Sequence, residues 1–182
     1  MKSHLSILLL IAILISSCAS NEKKVNQVKS TIVPFPKELI NIPTGIEVNH
    51  SKEVVYAELN KKDPETRGKY KWHFETTVNS IDEDLTITEF GAYVLIDGKW
   101  DNHATIYARP FNNEEFEKWY ECPEGILTKK KKFTDFNNWS KGNNLDGKTR
   151  KTLWYFIGIN SQGKKYKGTK EIITISKLVD KE

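Results

Sequence analysis

The chain has 182 residues, with 28 lysines and arginines against 24 aspartates and glutamates, a formal net charge of +4. Only three of the basic residues are arginine (Arg67, Arg109 and Arg150), and so small a surplus with so few bidentate donors argues against a nucleic-acid partner. Two cysteines, Cys18 and Cys122, exclude paired zinc cysteines, and no glycine-rich phosphate loop or nucleophile elbow occurs anywhere.

The first segment is MKSHLSILLLIAILISSCAS. Lys2 supplies a positive start, and Leu5 to Ile15 is an apolar run shorter than the roughly 20 residues of a spanning helix, which fits the hydrophobic part of a signal peptide. The run ends in Ile15-Ser16-Ser17-Cys18, an aliphatic residue, two small residues and a cysteine. This resembles the lipobox of bacterial lipoprotein signal peptides. The resemblance covers the first 20 residues and implies cleavage after residue 17, lipid on Cys18 and stable anchoring through several acyl chains. Ala19, where an aspartate would signal retention, implies the outer membrane. A lipid on the Cys18 sulfur would leave Cys122 as a single thiol in an oxidising compartment, where burial is its usual protection.

Without residues 1–17, which carry one charge, Lys2, the net charge is +3. Residues 18–33 are the lipidated cysteine and a polar, aperiodic tether, expected to reach roughly 20 Å. Residues 34–45 hold Pro34, Pro36 and Pro43 and are expected to run extended. Residues 46–182 are expected to form a single β-rich domain.

From there the period is mostly two. In KYKWHFETTV, Tyr70, Trp72, Phe74, Thr76 and Val78 alternate with polar neighbours, as in a half-buried strand. Further strands are expected at 53–59, 84–90, 92–96, 99–109, 125–133 and 171–178. In TLWYFIGI both alternating sets are apolar, which predicts a central strand covered on both faces. One helix interrupts the pattern near 113–121. Asn112 and Glu115 have capping-box spacing, Phe116, Trp119 and Tyr120 share one face, and Pro123 stops it. Cys122 then falls between the helix end and the sheet. The expected fold is all-β, an antiparallel β-sandwich (Ig-like or similar) with one short helix, the alternative being a lipocalin-like β-barrel.

The candidate sites come from the strand patterns. Asp97-Gly98 is a hairpin signal. Matching apolar with apolar positions favours a three-residue loop that pairs Leu95 with Lys99 and Tyr93 with Asp101. That register would gather Glu89, Tyr93, Asp101 and His103 around Gly91. Glu89, Asp101 and His103 then suggest a metal site, and Tyr93 and Tyr107 a face for a sugar ring. Trp139, in the asparagine- and glycine-rich stretch DFNNWSKGNNLDGK, suggests stacking from a loop. TKKKKF, with Lys129 to Lys132, reads either as an edge strand guarded by lysines or as a patch for anionic groups. The leading expectation is a non-enzymatic binding or accessory module for carbohydrate or an envelope protein, without a cofactor. A metal-dependent protein using the Glu89, Asp101 and His103 set and a purely structural envelope lipoprotein are the alternatives.

Overall fold

A computed structural model describes residues 33–102 and 109–179. Its strands are β1 (Ile46–His50), β2 (Val54–Leu59), β3 (Tyr70–Ser80), β4 (Leu85–Ile96), β5 (Lys99–Asp101), β6 (Phe111–Asn112), β7 (Ile126–Leu127), β8 (Phe133–Gly142), β9 (Thr149–Ile159) and β10 (Lys165–Leu178). The helices are α1 (Lys37–Ile40), α2 (Pro64–Arg67) and α3 (Asn113–Tyr120).

The fold is all-β with a short helix, as the periodicity indicates. The strands form one curled sheet, a half-barrel, in the order β1-β3-β2-β10-β9-β4-β5, with β8 beside β3 and the short β6 and β7 beside β4. It is a mixed sheet and not a clear antiparallel sandwich, because β2 and β10 run parallel, Val54 beside Ile173 and Tyr56 beside Ile175. Other strand pairs, such as β9 with β4 and β10, are antiparallel.

The long alternation in β3 places Trp72, Phe74, Thr76 and Val78 inside, as expected for a strand with one face on the core. β9 is covered on both faces. Leu153, Tyr155 and Ile157 pack in one apolar cluster, and Phe156 in another with Phe90, Phe116 and Tyr120. Residues 84–90 and 92–96 are a single strand, β4, which continues through Gly91 and carries a bulge between Ile87 and Glu89.

α3 forms as its sequence dictates. The Asn112 side chain accepts from the Glu115 backbone N–H at 3.0 Å, and the Glu115 carboxylate accepts from the Asn112 N–H at 2.7 Å. Arg109 donates from two nitrogens to that carboxylate, at 2.9 Å each, holding the Glu115 carboxyl below its usual range. On the inner side Phe116 stacks on Tyr120 at 4.4 Å, and both surround Phe90. Glu121 ends the helix in the left-handed region, and Cys122 turns inward. Its thiol is fully buried, 3.2 Å from the Ile126 carbonyl, and burial pushes it up to about 12.

Four local expectations are corrected. The Asp97-Gly98 turn is a two-residue loop that pairs Ile96 with Lys99, Leu95 with Trp100 and Val94 with Asp101. Both turn residues have positive φ, 48° and 76°, the type I′ geometry whose twist matches the flanking strands. Residues 34–45 are not uniformly extended, since α1 forms one turn and buries Leu39 against Tyr93 and Leu153. Lys129 to Lys132 lie in the turn between β7 and β8, not in a strand. Trp139 lies within β8 rather than a loop, opposite His73 of β3.

Candidate functional site

The β4–β5 hairpin carries the site. After the bulge at Ile87 and Glu89, the residues Glu89, Gly91, Tyr93 and Leu95 alternate onto one face, and Phe90, Ala92 and Val94 onto the other. Trp100, opposite Leu95, joins the first face, and the apolar cluster of Tyr93, Leu153, Tyr155, Ile157 and Leu39 packs against it. This face was expected to carry a polar cluster around Gly91. It is largely covered, because α1 lies across it.

Tyr93 and Tyr155 lie 5.2 Å apart, with their rings tilted by 43°. Tyr155 occupies the space over Gly91. Burial pushes the Tyr93 phenol above its ordinary range, and the charges of Glu38 and Glu89 push it further. Burial raises Tyr155 as well, and Glu89 and Tyr93 add to this against a hydrogen bond with the Asn102 side chain.

Above this pair is an open groove of about 550 Å³. Tyr93 and Trp100 form its aromatic floor, Ile96 and Lys99 its rim, and Glu38, Asp97, Asp101 and Asn102 its polar walls. Among the described residues the buried Trp100 Nε1 atom has no hydrogen-bond partner.

The sequence candidates divide accordingly. Tyr93 and Asp101 line the same groove, although Asp101, opposite Val94, belongs to the other sheet face and reaches the groove from the edge. The expected pairing of Tyr93 with Asp101 is therefore replaced, and Glu89 stands on the opposite face from Asp101. His103 and Tyr107 lie outside the described residues. Among the described residues no group of three His, Cys, Asp or Glu side chains is placed to hold a metal ion. Trp139 stands apart on β8, 36% exposed, with the Lys141 ammonium 5.9 Å from its ring. Sequence reasoning missed Trp100, Asn102 and Glu38. In its strand Trp100 carries no sequence signal that sets it apart from a core aromatic, and only the fold of α1 brings Glu38 to the hairpin.

A second polar group lies inside the half-barrel and has a structural role. His50 Nδ1 is 3.0 Å from the Thr76 hydroxyl, which accepts from Asn138 Nδ2 at 2.8 Å. Asp135 and the buried Tyr120 phenol lie beside it. The layer sits at the bulge where β8 shifts register against β3, from Phe74 opposite Asn138 to Thr76 opposite Asp135. Burial pulls the His50 imidazole down to about 4 and raises the Asp135 carboxyl.

No family model matches the chain, and no curated protein matches it. Among solved structures it is similar to the crystal structure of a Bordetella pertussis protein given the name ApaA. The identity is 6% and the TM-score 0.42, over 72% of this chain and 94% of that one.

Proposed function

We propose that this chain is a lipid-anchored envelope protein, attached through Cys18 to the bacterial outer membrane, and that its β-domain is a non-enzymatic module that binds carbohydrate in the Tyr93–Trp100 groove. The observation that carries the binding reading is the groove floor. An indole, Trp100, lies beside a phenol, Tyr93, with an amide and carboxylates around them. Sugars present apolar C–H faces edged by hydroxyls, and a site with aromatic faces and a few convergent polar groups suits them. For the scaffold we infer sandwich-like layering between the two halves of the curled sheet. Support comes from a core cluster that joins Ile46, Val48 and Val78 of β1 and β3 to Ile87 of β4 and Phe156 of β9.

The test uses the chain from residue 19 onward, which keeps every described residue, titrated by calorimetry and Trp fluorescence against a panel of neutral and N-acetylated oligosaccharides. Binding that weakens at least tenfold in Asn102→Ala and Trp100→Ala, with melting temperatures showing both variants folded, supports the reading. A panel without a binder, or binding indifferent to both changes, refutes it. Anchoring is tested separately: labelled palmitate should enter the full chain and be lost in Cys18→Ser.

A further inference from the structure

Resting on the reading of the groove as a sugar site, we infer that its ligand carries a protonated amine, that is, a hexosamine whose amino group is free rather than acetylated. The groove is acidic in a chain whose net charge is +4. Glu38 reaches it from α1 and Asp97 from the β4–β5 turn, so two exposed carboxylates from distant parts of the sequence face one space. Among its described lining residues Lys99 is the only cation.

The balance of donors and acceptors favours an ammonium. The carboxylates only accept hydrogen bonds, so a ligand must bring donors to them, and an ammonium brings three together with the opposite charge. It also suits the indole, since a cation within about 6 Å of an aromatic face is attracted by the ring. An acetylated amine offers one donor, adds a carbonyl acceptor and carries no charge.

The experiment compares a glucosamine oligosaccharide with its fully N-acetylated counterpart of the same length, titrated into the chain from residue 19 at about pH 6. The free-amine form should bind more tightly. Glu38→Gln and Asp97→Asn should each weaken it about fivefold, the upper range for an exposed ion pair, and weaken the acetylated form less, so that the preference for the free amine narrows. Asn-Gly is itself a favoured type I′ pair, so Asp97→Asn removes the charge and keeps the turn. Equal affinity for the two forms, unaffected by either variant, would overturn the inference and leave the sugar reading standing. Binding of neither form, with the neutral panel also failing, would remove both.

Discussion

Tyr155 of β9 lies directly over Gly91 of β4: a Cβ built on Gly91 would stand 3.1 Å from the Tyr155 ring and 3.3 Å from its hydroxyl. The tyrosine has little room to retreat, being 1% exposed and packed on Tyr93. Gly91→Ala should therefore destabilise the protein by about 1–3 kcal/mol, the usual cost of overpacking, and Gly91→Val by more. Urea denaturation of the two variants beside the parent measures it. An alanine variant as stable as the parent would mean that Tyr155 moves freely.

The reciprocal cap of α3 gives a second expectation. Asn112→Ala removes the acceptor for the Glu115 N–H and should cost about 1 kcal/mol, whereas Asn112→Ser should restore most of it. The helix face carries Phe116 and Tyr120 into the main core, so the loss should appear in global unfolding and not as local fraying. Matching midpoints by far-UV circular dichroism and by Trp fluorescence would establish this.

Cys122 is fully buried and its thiol is raised to about 12, so in the native protein it should resist aromatic disulfide reagents at pH 8. In the chain from residue 19, which lacks Cys18, one thiol should appear on denaturation and none before. Rapid labelling of the folded protein would instead place this thiol at the surface.

Acid should weaken the fold through His50. Its folded value, about 4, lies below its ordinary 6.5, so between these values the unfolded chain takes up the proton first. Stability is then complete above about pH 6.5 and falls as the pH drops towards 4, by up to about 3 kcal/mol. Asp135 acts with the opposite sign: its carboxyl is raised by burial, so protonation favours the folded state and partly offsets the loss. Urea midpoints at pH 7, 5.5 and 4.5 should fall in the parent and fall less in His50→Gln. Asp135→Asn should be more stable than the parent at pH 7.

What was legible in the sequence was local. The alternation in β3, the two apolar sets of β9 and the capping box of α3 each lie within a dozen residues, and all three formed. The hairpin register failed for a physical reason. Comparing apolar and polar faces presumes that one face is solvated, yet α1 buries Leu39 against Tyr93 and Leu153, so both faces near Tyr93 are covered. With that contrast gone, the backbone preference of Asp97-Gly98 decided the loop. β8 escaped notice because Asp135, Asn137 and Asn138 interrupt its alternation at the bulge; Asp135 and Asn138 are nevertheless buried, the Asp135 carboxylate accepting from the Asn137 backbone N–H and the Asn138 amide donating to Thr76. Glu38 at the groove was beyond reach of any local pattern, since 55 residues separate it from Tyr93.

The order of the strands has a consequence for synthesis. β10 is made after every other described strand, yet it lies in the interior of the sheet, between β2 and β9. Until residues 165–178 leave the ribosome, the growing chain can build only two half-sheets, β1-β3-β2 and β9-β4, each with an open edge where β10 belongs. Both edges are sticky to other chains; β10 closes the β9 edge as a local hairpin, Ile159 beside Lys165, but closes the β2 edge across most of the sequence, Val54 beside Ile173, which makes that closure slow. A chain that stops before Lys165 therefore exposes both edges and is more than a slightly shortened protein.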